Sequence, residues 1–429
     1  MYSREVVDSK VLQSVLKRYN LSMEDALKLN EEVTKNQIIE NHIRTFSSKW
    51  KSKDGRWRTY LPDETRKNGR KLVAKSTEDK LDAEIVTYYK TVSSRQEKIT
   101  LESFYPKWLQ YKELHSNSGA YIHRIDNDWE RFYKGTTIAK IPLRKMDKVM
   151  LDEWAHEMIK THQLTRKQYY NMTIIMRQAL LLAVDKGILS ESPFEEVTVN
   201  KKMFRAQKKQ NDATQVFLIE EQAQIEQEAM ADFKENGYPA SVAVALCFQM
   251  GLRIGEMVVV KWSDIDELQE NYIHIQRMEV KRHVRQKNGE WDCSGFAVED
   301  HVKSDAGDRN VYISKKAREY FEMVRKWNEE HGYGDSEYIF LNKNGQNIHS
   351  KALDTRIRKY CRHIGISEKS MHKIRKTYIS TLIDSQLINL NTIRSLVGHE
   401  DERTTLKCYC FNRKNDLQTQ ESLEKALGS

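Results

Sequence analysis

At 429 residues the chain is too long for one ordinary folding unit, and two or three domains are expected. Charged residues make up 31% and the mean hydropathy is −0.74; no apolar run approaches the roughly 20 residues of a membrane span, and Met1-Tyr2-Ser3-Arg4-Glu5 opens no apolar signal core. Five cysteines are too few for a disulfide framework, which points to a reduced, cytoplasmic protein.

Residues 1–43 are polar and helical in pattern. Val11, Leu12, Val15 and Leu16 form a narrow apolar stripe, and Ser22 with Asp25 makes an N-terminal capping box for a second helix. An interaction helix and a mobile extension are both compatible with this segment. The net charge of +9 is concentrated just beyond it. From Arg44 to Lys75, eleven Lys or Arg face three Asp or Glu, a local balance of +8 that suits a polyanion partner.

Residues 44–95 read as a small basic domain. Lys49–Lys51, Arg56–Tyr60 and Arg70–Ala74 alternate as strands do, with hairpin turns at Asp54-Gly55 and Asn68-Gly69 and a helix from Thr77 to about Thr91. Arg56, Arg58, Arg70 and Lys71, interleaved with aromatics, are the candidate DNA contacts; the competing reading is a solvated sheet whose edge lysines block aggregation. A polar linker at Val92–Lys98 leads to a helical block over 100–200. There Phe104, Trp108, Tyr111 and Leu114 share one helical face, and further helices cover Ser118–Tyr133, Asp147–Thr161 and Thr165–Lys186, the last stopped by Gly187. Residues 201–213 form a basic connector in which Lys201, Lys202, Lys208 and Lys209 either lie across DNA or line an ordinary hinge.

From 214 to 429 the pattern is mixed. Helices are expected at Ile219–Lys234, Pro239–Met250, Lys315–His331 and Ser350–Arg362, with strands at Tyr272–Arg282, Phe296–Lys303 and Asn310–Ile313. A helix over Leu417–Leu427 closes the chain. His372 and Arg375, spaced i and i+3, share a helix face. Gly398-His399 reads as a helix end with Gly in the left-handed conformation, and a short helix over Thr404–Cys410 carries Tyr409. With Arg253 in Gly251-Leu252-Arg253-Ile254-Gly255-Glu256, these are residue types that handle phosphate.

Four motifs in this order resemble those of the tyrosine recombinases: Gly251–Glu256, His372-Lys373-Ile374-Arg375, Leu396-Val397-Gly398-His399, and Thr404-Thr405 followed by Tyr409. The His399-to-Tyr409 spacing is similar to that of conjugative-transposon and phage integrases. The resemblance is strongest from about 240 to 412 and only architectural before 210. It implies an α+β, mostly α, fold: a small three-stranded-sheet arm-binding domain, a helical core-binding domain and a mixed α/β catalytic domain with a tail helix.

The chemistry it implies suits each residue. Arg253 and Arg375 grip the non-bridging oxygens of a phosphodiester. Tyr409 attacks phosphorus to leave a 3′-phosphotyrosyl strand; a phenol with pKa about 10 needs a base, for which His372 is the match. Lys303 matches the general acid of the family, His399 donates to the phosphate, and Glu256 is expected to orient the cluster. No metal and no cofactor are called for. Lys281, Lys287 and Arg282 compete with Lys303, and Tyr360 and Tyr378 compete with Tyr409, while Cys408 and Cys410 are read as packing residues.

The expected activity is therefore integration and excision of a mobile element, on duplex DNA with core and arm sites. A homotetramer on DNA, accessory excision or DNA-bending proteins and residence at the bacterial nucleoid go with that expectation. A chromosome or plasmid dimer resolvase of the Xer kind is the alternative in the same chemical class, although such enzymes usually lack the basic sheet. A catalytically inactive DNA-binding relative has every motif position filled against it, and a metal-dependent nuclease finds no carboxylate cluster of suitable spacing.

Overall fold

The computed structural model describes residues 22–63, 65–207, 211–265, 271–300, 307–398 and 410–428. The chain divides into two compact units at Ala206 and Gln207. Among the described residues no helix is long and apolar enough to cross a membrane.

In the first unit, helix α1 (Met23–Thr45) starts at Ser22, whose side chain and that of Asp25 form the reciprocal capping box. The stripe at Val11–Leu16 lies outside the described residues. Strands β1 (Trp50–Lys51), β2 (Trp57–Pro62) and β3 (Arg70–Lys75) make an antiparallel sheet in sequence order, with Tyr60 opposite Leu72 and Pro62 opposite Arg70. Gly55 and Gly69 turn the two hairpins at φ of +78° and +66°. One sheet face is covered by α2 (Glu78–Gln96), where Leu81 and Ile85 bury Leu61. The end of α1 is fastened to this assembly. His42, fully buried, hydrogen-bonds the Tyr89 hydroxyl at 3.0 Å and Thr59 Oγ1 at 2.9 Å.

The stretch expected as a polar linker at Val92–Lys98 is helical as far as Gln96. Arg144 explains the extension, because its guanidinium reaches Gln96 Oε1 at 2.6 Å, Ser93 Oγ at 3.4 Å and the Ile188 carbonyl at 2.9 Å. Four helices follow: α3 (Leu101–Leu114), α4 (Gly119–Phe132), the short α5 (Thr137–Lys140) and α6 (Lys148–His162). The long α7 (Arg166–Asp185) completes the block. Side chains of Thr100, Ser118, Asp147 and Thr165 cap their N-termini. The expected face of α3 is only half right. Phe104 and Trp108 are buried with Tyr105, which stacks on Trp129 at 3.9 Å, whereas Tyr111 and Leu114 point to solvent.

The second unit is built around α9 (Pro239–Met250), which is buried on all sides, as a helix apolar around its whole circumference must be. It packs against α8 (Ile219–Asn236) and against three later helices, α11 (Lys315–Glu330), α12 (Ser350–His363) and α13 (Met371–Ser385). Between α9 and α11 come the four-residue α10 (Ile254–Met257) and three separate two-stranded ladders. These pair β4 (Tyr272–Ile275) with β9 (Arg309–Tyr312), β5 (Met278–Lys281) with β8 (Phe296–Glu299), and β6 (Val284–Arg285) with β7 (Trp291–Asp292). The continuous strand expected over Tyr272–Arg282 is thus interrupted after Ile275. Asp264, buried, draws Gln276 Nε2 to 3.0 Å and Arg277 Nη1 to 2.6 Å, and this turns the backbone out of the ladder. Helices α14 (Leu390–Val397) and α15 (Asp416–Leu427) complete the unit.

Candidate active site

Gly251 ends α9 in the left-handed conformation, and the next residues swing Arg253 to the head of α10. Glu256, one turn on, is 1% exposed and fully subscribed. Its Oε1 accepts from Arg253 Nη1 at 2.6 Å and from Arg309 Nη1 at 3.2 Å; its Oε2 accepts from the Arg253 amide at 2.9 Å and from Arg309 Nη2 at 2.8 Å. Burial by itself raises the pKa of this carboxyl. The hydrogen bond and charge of Arg309, then the charges of Arg253 and Arg375, outweigh burial and bring it down to about 2. With both oxygens on guanidiniums, Glu256 serves as counter-ion and brace for the arginines.

Arg375, the fifth residue of α13, is buried. Its Nη1 donates to the Gly251 carbonyl at 2.7 Å and its Nη2 to the Val397 carbonyl. Arg253 Nη2 reaches the Gly398 carbonyl at 2.9 Å, and Arg309 Nε the Leu396 carbonyl at 2.8 Å. Three guanidiniums therefore take three successive carbonyls at the end of α14. A helix leaves its last carbonyls without partners and carries its negative dipole end there, so this terminus suits a cluster of cations. Gly398 closes the helix at φ 63°, as its sequence context predicts.

His372 lies in the first turn of α13, open to solvent on one side. Desolvation by the surrounding protein, followed by the charges of Lys376, Arg375, Lys373 and Arg253, lowers its pKa to about 4. At neutral pH the imidazole is uncharged and can accept a proton.

Lys303, His399 and Tyr409 lie outside the described residues, as do Lys208 and Lys209. The chain on both sides of 399–409 is described, and both ends are anchored. Gly398 is held by Arg253, while the Phe411 amide donates to Ser380 Oγ on α13 at 3.2 Å. Arg413, buried, bonds Gln222 Oε1 at 2.6 Å and also Thr381. Ser380 is five residues beyond Arg375 on the same helix, roughly 7.5 Å along its axis. Of the competing tyrosines, Tyr360 is buried with its hydroxyl on Asp232 Oδ2 at 2.6 Å, and Tyr378 packs beneath Gly251; burial raises the pKa of both.

In the basic sheet, strand parity sorts the four candidates. Arg58 and Arg70 share the face of β2 and β3 opposite α2 with Trp50 and Tyr60. Arg70 lies 4.4 Å over the Tyr60 ring and Arg58 pairs with Asp54 at 2.6 Å. Arg56 occupies the turn before β2, and Lys71, opposite Leu61, has the other parity. Lys201 and Lys202 sit exposed on a 3-10 turn. The residue that motif reading missed is Arg309. Val311 two positions on is buried, so strand alternation was the available signal that Arg309 also faces inward.

Residues 217–416 match the model of the phage integrase family. The integrase of Staphylococcus phage L54a is 24% identical over 357 residues, 78% of this chain and 95% of that protein. A tyrosine recombinase XerC-like protein of Caldanaerobacter subterraneus subsp. tengcongensis is 21% identical over 72% of this chain and 79% of its own length. Among solved structures, that of the Tn1549 transposon integrase in complex with transposon right end DNA superposes with a TM-score of 0.55 at 15% identity, covering 77% of this chain and 100% of that one.

Proposed function

We propose that the chain is a tyrosine recombinase of the phage integrase family, a site-specific integrase, and that its residues carry out each step as follows. Arg253 and Arg375 hold the non-bridging oxygens of the scissile phosphate and offset the charge that grows on them at the transition state. Tyr409 Oη attacks phosphorus, and His372 takes the phenolic proton. The bond from phosphorus to the 5′-oxygen breaks, and Lys303 gives its proton to that oxygen, which leaves as the 5′-hydroxyl. His399 donates to the phosphate. Rejoining runs the same steps backwards with a 5′-hydroxyl from another strand, so the energy of the original ester is kept in the phosphotyrosyl bond.

The observation that carries this reading is the pair of guanidiniums on adjacent carbonyls, Val397 and Gly398, directly before His399. The anchor of Phe411 on Ser380 supports it, since it fixes the exit of the Tyr409 segment to the helix that begins with His372 and Arg375. DNA is the partner. Assembly as a tetramer, accessory bending or excision proteins, and work at the DNA of a bacterial cytoplasm belong to the same proposal. The sheet face bearing Arg58, Arg70, Trp50 and Tyr60 would read distal arm sites, which favours an integrase over a dimer resolvase.

Trapping tests it. On a nicked suicide duplex carrying the element junction, with chelator present, wild type is expected to give a protease-sensitive protein–DNA adduct. Tyr409→Phe is expected to bind the same duplex and give none. An adduct formed by Tyr409→Phe, or none by wild type, overturns the assignment.

A further inference from the structure

Helix α12 takes its cap from another element. His349 stands at its N-cap without a side-chain bond to the first turn, and that turn holds no acidic residue. The carboxylate that a helix N-terminus favours comes instead from Glu279 on β5. Its Oε2 accepts from the Ser350 amide at 2.9 Å and its Oε1 meets His349 Nδ1 at 2.6 Å. Glu279 is buried, whereas the His349 side chain is more than half exposed. The imidazole also stacks on Phe296 of β8, with ring centroids 4.6 Å apart. The start of α12 therefore grips both strands of one ladder, β5 through Glu279 and β8 through Phe296.

Through its backbone the same residue touches the helix that carries Arg253. A Cβ built on Gly255 would lie 2.6 Å from the Glu279 carbonyl oxygen, so α10 rests directly on β5 and glycine alone admits that approach. Glu279 thus meets α10 with its backbone and α12 with its side chain, and it pairs with Val298 across the ladder. One residue on, β8 ends at Glu299, and Lys303 follows four residues later, outside the described residues. Past Lys303 the chain is tied to the same frame. Arg309 Nη1 takes the Gly307 carbonyl at 2.8 Å while its Nη2 holds Glu256.

We propose that Glu279 is a positioning residue for strand cleavage: by capping α12 from β5 it holds the β5–β8 ladder against α10, and so sets where the chain leaving β8 brings its proton donor to the 5′-oxygen. The inference rests on the recombinase reading, with Lys303 as the donor. Proton transfer to one oxygen tolerates little error, since a shift of about 1 Å can cost on the order of a hundredfold in rate. Removing the carboxylate unfastens the ladder from α12. It leaves Arg253, Arg309 and Glu256 their mutual bonds and their hold on the end of α14, so the grip on the phosphate is spared. Nothing in the four motifs announces Glu279, because its partners His349 and Ser350 are distant in sequence.

Sulfur in place of the bridging 5′-oxygen of the scissile phosphate isolates this step, because a thiolate leaves without being protonated. Single-turnover adduct formation is measured on two suicide duplexes that differ only in that atom. Glu279→Ala is expected to be slowed by about tenfold or more on the oxygen duplex and to run close to wild type on the sulfur duplex. Glu279→Gln, whose amide oxygen still accepts from the Ser350 amide, should fall between. His349→Ala leaves Glu279 and its bond to Ser350 in place, and it is expected to show the same pattern more weakly; it decides the matter if Glu279→Ala does not fold. Equal slowing on both duplexes, or none on the oxygen duplex, overturns the proposal. Lys303→Ala is the reference for a lost donor, and if sulfur fails to restore it the donor assignment falls and the proposal with it. No adduct from wild type on either duplex would mean that the recombinase reading itself has failed.

Discussion

Replacing Glu256 with Gln removes one charge and strands two. Arg309, its side chain 5% exposed, loses its counter-ion where water cannot replace it, and the half-buried Arg253 loses its own. Removing one member of a buried ion pair costs about 3–5 kcal/mol, so Glu256→Gln is expected to unfold at markedly lower denaturant than wild type. The pH dependence gives the sign. The folded-state pKa is depressed to about 2, so the carboxylate contributes its full stability above the ordinary glutamate range and loses it as pH falls toward 2. Denaturant titrations of wild type and Glu256→Gln should therefore differ most near pH 6 and converge as the solution is acidified through that window. A constant difference from pH 6 to 3 would show that the variant acts through packing and not through charge.

At the scale of elements, the active arrangement depends on how α9 stops. Gly251 has φ of +61°, and a Cβ built on it would lie 2.1 Å from Cδ1 of Tyr378. Gly251→Ala must therefore adopt a backbone that L-residues avoid and also push aside a packed ring. Together these cost about 2–4 kcal/mol. Because the Gly251 carbonyl receives Arg375, the same substitution should slow adduct formation even where the protein remains folded. A thermal melt and a single-turnover adduct rate check the two parts, and wild-type values in both would refute the role. This helix end was readable in advance, as were the capped starts of α1, α4, α6 and α7, since these signals are local. What could not be read depends on partners distant in sequence. Asp264 breaks the strand expected through Gln276 and Arg277, and Arg309 reaches back to Glu256 across the whole sheet region. On α3, Tyr111 and Leu114 keep the helical period but run past the neighbours that would bury them. That Arg253, His372 and Arg375 come together was legible from the motifs; that the arginines close the end of α14 was not.

The proposed catalytic residues all belong to the second unit, which leaves the basic sheet a part in binding alone. Among the described residues, the main core cluster of that unit is drawn from residues between Phe217 and Ile374, and the cluster of Leu61, Leu81 and Ile85 joins the sheet to α2. Since α2 continues to Gln96, a truncation within it would leave part of a helix without its sheet, so the cut belongs after Gln96. Arg144 then loses Gln96 and Ser93 but keeps the Ile188 carbonyl, and Thr100 still caps α3. The missing segment carries +6 of the +9 net charge. Chain 97–429 is accordingly expected to form the covalent adduct at the core junction at close to the wild-type rate. Its binding to duplexes taken from the flanks of the element should fall and lose salt sensitivity, because each phosphate released from Lys or Arg contact removes about 0.9 from the slope. Footprinting of both proteins over one long element end compares the two sites in a single lane. Protection of the flanks that survives the truncation would assign arm recognition elsewhere and leave the basic sheet as a solvated surface.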